Sequence, residues 1–176
     1  MKTKKTPTGV IEYYDNSVIK RLDGVDQCIN LDWLKHYQAI ANRNNFLVKV
    51  HRVVEENTAY EMEKLDVVSD VAQIINQPNL NYLITRSFIC KVYEAVNTTW
   101  VDSIKYSDEI ELPDGSYFLH GDMALKNILL LTDGSVKIGD PESFHYMNKM
   151  KFAEGYAIMH THLMFALQRF FREIKG

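Results

Sequence analysis

The sequence predicts an α+β fold: a small β-rich part with one helix over residues 1–65, then a mainly helical remainder over residues 66–176. Three observations predict it. Runs of β-branched and aromatic residues broken by turn signals dominate the first part. Apolar residues recurring at steps of three and four dominate the second. The 176 residues, 46% hydrophobic and 24% charged, have the composition of an ordinary globular domain that needs no disulfide or metal to hold its core.

The elements follow in order. Met1 to Thr6 has the charge of a secretory leader's start but lacks the apolar stretch that must follow, and reads as a solvated tail. Gly9 to Leu22 reads as a β-hairpin turning at Asp15-Asn16. Ile29 to Ala41 spaces Leu31, Leu34, Tyr37 or Gln38, and Ala41 as a helix, with Asn30 as its N-cap. Phe46 to Val54 and Thr58 to Met62 flank Glu55-Glu56-Asn57 as a second hairpin, which completes a β-β-α-β-β order.

From Asp66, Val67, Val68, Val71, Ile74 and Ile75 predict a short helix that Pro78 ends. Leu80, Ile84, Phe88, Val92 and Ala95 or Val96 mark a longer one. Ser107 to Ser116 reads as an acidic loop with a Pro113-Asp114-Gly115 turn. Ile128 to Leu131 and Val136 to Ile138 flank Thr132-Asp133-Gly134 as a third hairpin. Phe152, Tyr156, Met159, Leu163, Leu167, Phe170 and Phe171 predict a C-terminal helix with a core-facing aromatic stripe, whose exposure would favour a homodimer.

Composition narrows function. A net charge of −3 and a pI of about 6.1 lack the footprint of a dedicated nucleic-acid binder. No apolar run approaches the roughly 20 residues of a membrane-spanning helix. Cys28 and Cys90 form no CxxC pair and no framework, so a reducing cytoplasm is expected. His160 and His162, two apart on the final helix, point to different faces and read as packing or solvated residues rather than metal ligands.

The stretch His120 to Pro141 carries the chemistry. Phosphoryl transfer from ATP needs a carboxylate to orient the acceptor, oxygen ligands for magnesium and a cation on the phosphates. Asp122 is the candidate base, Asn127 a candidate metal ligand, and Asp140, across a hairpin, the candidate principal magnesium carboxylate. A tight hairpin brings its two ends together, so one metal is within reach of both. Local backbone capping by Asp and Asn is the plain alternative.

His-x-Asp, the following Asn and the later Asp resemble the eukaryotic-like protein kinase superfamily, and Val18-Ile19-Lys20 is similar to its phosphate-binding strand. The resemblance covers most of the chain. It implies a two-lobed kinase-like fold, with a small β-rich N-lobe carrying one helix over residues 1–65 and a reduced, mainly helical C-lobe over residues 66–176. It further implies that Lys20 holds phosphates, Asn127 and Asp140 bind magnesium, and Asp122 serves as base. Gly9 then lies over the phosphates, the Met62-Glu63-Lys64-Leu65 hinge receives adenine, Lys126 reaches the γ-phosphate and His120 orients the catalytic loop. His120-Gly121-Asp122 also resembles aminoglycoside and choline kinases. Asn16 to Lys20 and Asp140-Pro141-Glu142-Ser143-Phe144 resemble the early serine/threonine kinases of short-tailed bacteriophages, which implies host or partner proteins as phosphoacceptors in the host cytoplasm.

Departures from the pattern are specific. No GxGxxG precedes Lys20, the helix from Ile29 holds no glutamate, and Ala124 stands where a lysine is usual. Asp32, with Asp26 behind it, is then the nearest acidic partner for Lys20, and Glu142 is either an assistant at the metal or a solvated turn residue. A binding module without turnover, a small-molecule kinase and an adenylylating transferase are the alternative readings.

Overall fold

The computed structural model describes residues 2–6, 9–23, 29–110, 112, 115–148 and the single positions 154, 157 and 161. The chain is α+β with mostly antiparallel sheets. Strands β1 (Lys2–Thr6), β2 (Gly9–Tyr13), β3 (Ser17–Leu22), β4 (Val50–Glu55) and β5 (Ala59–Glu63) form one sheet in the order β1-β2-β3-β5-β4. The expected tail at the amino terminus is therefore strand β1, paired residue for residue with β2 from Lys2↔Tyr13 to Thr6↔Gly9. Its exposed lysines hold an edge position, where charge discourages pairing with further chains.

Helix α1 (Leu31–Ala41) begins as predicted, because the Asn30 side chain accepts the Trp33 N–H at 2.9 Å. Trp33, Leu34, Tyr37 and Ile40 form its buried face against the sheet. The second hairpin is shorter than predicted. Phe46 to Val48 precede β4, and the Phe46 carbonyl accepts from Ile138 N at 2.7 Å while Leu47 bridges to Ile138. That connection ties the first sheet to strand β9 (Val136–Ile138).

Three boundaries beyond residue 66 correct the sequence reading. Val67 and Val68 belong to strand β6 (Val67–Asp70), and only then does α2 (Val71–Asn76) begin, capped by Asp70 accepting from Gln73 N at 2.8 Å. Strand β6 exists because strand β8 (Ile128–Leu131) offers it a ladder, with Val67 opposite Leu131. Leu80 lies in a 3-10 helix (Pro78–Leu83), and the long helix α3 runs Arg86–Glu109 under a Thr85 cap. Asp108 and Glu109 thus close α3 rather than opening a loop, and Glu109 pairs with Arg43 at 2.6 Å.

Strand β7 (Tyr117–His120) pairs with β10 (Phe144–Met147), and β6-β8-β9 form a three-stranded sheet from β8 (Ile128–Leu131) and β9 (Val136–Ile138). The third hairpin matches its prediction, turning through Gly134 at a φ of +76° that glycine adopts without strain. One continuous core joins α1, α3 and the sheets, with Tyr37, Tyr60, Phe118, Phe144, Ile128 and Ile138 fully buried. Each such side chain contributes roughly 1.5–3 kcal/mol by leaving water. Ser107 Oγ accepts from Phe118 N at 2.9 Å and so fixes β7, and with it His120, against α3.

The aromatic stripe from Phe152 to Phe171, together with His160 and His162, lies outside the described residues, as do Asp26 and Cys28. No helix among the described residues is long and apolar enough to cross a membrane.

Candidate functional site

Strand β3 alternates its side chains, and its inward set includes one charge. Lys20 stands opposite Tyr60 of β5, so the two project as cross-strand neighbours from the same face. A lysine ammonium buried to 8% side-chain exposure requires a counter-charge. It finds two carboxylates, Asp140 at 2.7 Å and Glu142, both contributed by the loop after β9. Tyr60 also donates its hydroxyl proton to the second oxygen of Glu142.

The loop's own chemistry aims those carboxylates. Asp140 adopts a left-handed conformation (φ 59°, ψ 55°), which Asp tolerates better than most residues, and Pro141 then starts a 3-10 turn (Pro141–Ser143). Ser143 N donates to the Asp140 carbonyl at 3.0 Å, and Ser143 Oγ donates to Asp140 Oδ2 at 2.8 Å. The turn folds Glu142 inward beneath β3. There its side chain retains 2% exposure, so it is no solvated turn residue.

Electrostatics divide the two acids. Burial opposes ionisation of Asp140, but the Lys20 charge and the hydrogen bonds around it prevail and hold its carboxyl down at about 2. Burial dominates at Glu142, reinforced by the Asp140 charge, and raises its pKa above the usual carboxylate value despite Lys20. Burial alone would push Lys20 down. The two acids outweigh that and raise it, so the lysine is a cation at neutral pH.

A second group lies at the other end of the β8–β9 hairpin. Ile128 pairs with Ile138, and Gly139 N donates to the Asn127 carbonyl at 2.7 Å, so Asn127 and Asp140 flank one strand pair as the spacing implied. Asn127 Nδ2 donates to the Asp122 carbonyl at 2.8 Å and to Asp122 Oδ2 at 3.2 Å. Lys126, mostly exposed, reaches the same Oδ2 at 3.0 Å. The half-exposed Asp122 carboxylate is thereby held by both neighbours that follow it.

His120 is buried beneath this loop. Its Nδ1 accepts from Asp122 N at 3.3 Å and its Nε2 faces the Gly139 carbonyl at 3.0 Å, which together define a neutral ring with the proton on Nε2. Burial lowers its pKa against the pull of that carbonyl and the nearby acids. The imidazole thus spans the loop bearing Asp122 and the strand end bearing Asp140. Gly121 admits no side chain without displacing His145, whose ring would lie 1.9 Å from an added Cβ.

The remaining candidates are placed as follows. Glu63 accepts from Lys49 N at 2.8 Å and pairs with Lys137 at 3.3 Å, with Leu65 two residues on and half-buried. Gly9 opens β2 at a φ of +148°, and an added Cβ would lie 1.9 Å from the Arg21 carbonyl oxygen, so close β2–β3 approach alone demands glycine there. Asp32 does not reach Lys20. It is 68% exposed, lies 3.6 Å from His36 and accepts from Tyr146, because α1 turns Trp33 and Tyr37 toward the sheet and Asp32 away from it.

The sequence reading missed the Lys20–Glu142 pair. Its available signal was the conjunction of a helix without glutamate and an acid two residues beyond Asp140. Among the described residues no cluster of three or more His, Cys, Asp or Glu side chains stands ready to hold a metal. A hard cation that keeps water and ligand oxygens needs only one or two protein carboxylates, however, and the oxygen donors available at the two ends of the hairpin are Asp140, ionised, and Asn127. No protein-family model and no curated protein matches this chain.

Proposed function

We propose that this protein is a Mg-ATP-dependent phosphotransferase of protein-kinase-like architecture. One observation carries the reading: Lys20 of β3 meets Asp140 from the end of β9, 120 residues later, while the same hairpin brings Asn127 and Asp122 alongside. A buried cation facing an ionised carboxylate, with a second carboxylate held in a loop nearby, is the arrangement that positions phosphates and an acceptor hydroxyl. In this reading the five-stranded sheet with α1 forms the small lobe, residues 1–65, and the remainder the reduced large lobe.

The residues divide the work. Lys20 binds the α- and β-phosphates, and Asp140 with the amide oxygen of Asn127 would hold magnesium. The metal, when bound, supplies the charge that stabilises the transferring group. Asp122 orients the acceptor hydroxyl and takes its proton, and Lys126 holds that carboxylate in place. His120 positions the catalytic loop against Asp140. The segment from Glu63 to Leu65 offers backbone groups to adenine, and Gly9 covers the phosphates in this reading.

Serine or threonine hydroxyls of proteins, the chain's own or those of a host cell, are the proposed acceptors, and the cytoplasm the proposed compartment. A small-molecule acceptor is the second reading, suggested by the resemblance of His120-Gly121-Asp122 to aminoglycoside and choline kinases. Incubation with γ-labelled ATP and magnesium, alone and with a bacterial lysate, tests the proposal. Label on protein with wild type and none with Asp122→Asn or Asp140→Ala is expected. ATP consumption without labelled protein would favour the small-molecule acceptor, and no consumption would overturn the reading.

A further inference from the structure

We propose that Glu142, not a side chain of α1, is the positioning residue for Lys20, so that the lysine–carboxylate pair is built entirely between β3 and the loop that carries Asp140. The inference rests on the phosphotransferase reading for its functional meaning, but its geometry stands on its own. Glu142 uses both oxygens, one on Lys20 Nζ and one on the Tyr60 hydroxyl, and Tyr60 faces Lys20 across the β3–β5 ladder. The carboxylate is therefore fixed by two groups of one rigid sheet.

Helix α1 is excluded from this role by what it presents. Trp33 lies 6.0 Å from the Tyr60 ring, Tyr37 packs edge-on to Phe144 at 5.1 Å, and Trp33 Nε1 donates to the Phe144 carbonyl at 3.0 Å. The helix covers the cluster with aromatic surface. Its one carboxylate, Asp32, is directed to His36 and Tyr146.

The arrangement has a consequence for metal loading. Asp140 is shared between Lys20 and the cation that the proposed reaction requires. When magnesium draws on Asp140, Glu142 keeps the buried lysine paired and aimed, whereas without Glu142 the lysine's remaining acid partner is the metal ligand itself. Removing the glutamate therefore sets Lys20 and magnesium in competition for one carboxylate. An assembled site also follows directly from folding of the Asp140 loop and needs no movement of α1.

Two double-mutant cycles with Lys20→Met and Glu142→Gln test the proposal, one read as urea unfolding of the ligand-free protein and one as kcat/KM for Mg-ATP. Loss of a charged hydrogen bond predicts that Glu142→Gln lowers kcat/KM by roughly tenfold to hundredfold and raises the magnesium concentration for half-maximal rate. Added to Lys20→Met it should lower kcat/KM by less than about threefold, since the glutamate acts through the lysine. Asp32→Asn should stay within twofold of wild type, and Tyr60→Phe should lie between the two.

Each outcome decides. Coupling in both cycles supports the positioning role. Coupling in unfolding with full turnover in Glu142→Gln overturns that role and leaves the phosphotransferase reading intact. Equal losses from Glu142→Gln with and without Lys20 would make the glutamate a metal ligand instead, and losses in Asp32→Asn would return the role to α1. Wild type without turnover overturns the phosphotransferase reading and the positioning role with it, while the unfolding cycle still reports whether the pair exists.

Discussion

Lys20→Met removes one charge and leaves two acids behind, and the size of its effect follows from the burial of Glu142. Methionine retains most of the lysine stem, so packing changes little. Breaking a buried pair by removing one partner costs on the order of 3–5 kcal/mol when the remaining charge cannot escape. Glu142 can escape by taking a proton. Holding a carboxyl of ordinary pKa 4.5 protonated at pH 7 costs about 3 kcal/mol, and at pH 5 under about 1 kcal/mol.

In the variant the folded-state pKa of Glu142 stands further above its unfolded value. Its contribution is therefore most favourable below pH 4.5 and is lost as pH rises. Lys20→Met should thus be destabilised by about 3 kcal/mol at pH 7 and by under about 1 kcal/mol at pH 5. Urea unfolding at the two pH values reads this as a midpoint lowered by roughly 1–2 M at pH 7 and largely restored at pH 5. A loss independent of pH, or one below about 1 kcal/mol at pH 7, would refute the buried three-residue cluster.

Other perturbations address separate parts of the chain. Asp140, held at about 2 against an ordinary 3.8, contributes up to about 2 kcal/mol above pH 4 that is lost as pH falls toward 2. Acid unfolding of Asp140→Asn should lack that limb. Asn30→Ala, which removes the α1 cap, should cost about 1 kcal/mol in urea unfolding, with Ser at the same position recovering most of it. Gly9→Ala forces a positive φ and a backbone clash with Arg21, and should cost more than about 2 kcal/mol, measured as a lowered melting temperature. His120 is buried neutral with a lowered pKa, so its contribution, present above pH 6.5, is lost as pH falls through its folded value. His120→Gln should flatten unfolding profiles across that range.

What the sequence reveals and what it hides divides along the range of the interactions. The Asn30 cap and the Gly134 turn are decided within three or four residues and are legible in the sequence. Strand β1 escapes because Lys2 to Thr6 carry no apolar alternation and their pairing with β2 is made by backbone alone. Strand β6 escapes because Val67 and Val68 suit a helix face equally well until β8, some sixty residues away, supplies a ladder. In the candidate site, the placement of Asn127 and Asp140 at the two ends of one hairpin, with Asp122 five residues before Asn127, is legible in the sequence. The partner of Lys20 is not, because a 3-10 turn after a left-handed Asp140 decides where Glu142 points.

Calorimetric titration of ATP with magnesium into the wild-type protein and into Lys20→Met and Asp140→Ala tests the central claim most directly. The account predicts magnesium-dependent binding by the wild type with a dissociation constant between about 1 μM and 1 mM, weakened at least tenfold in both variants. Absence of binding by the wild type at millimolar ATP, or equal binding by all three proteins, would contradict it.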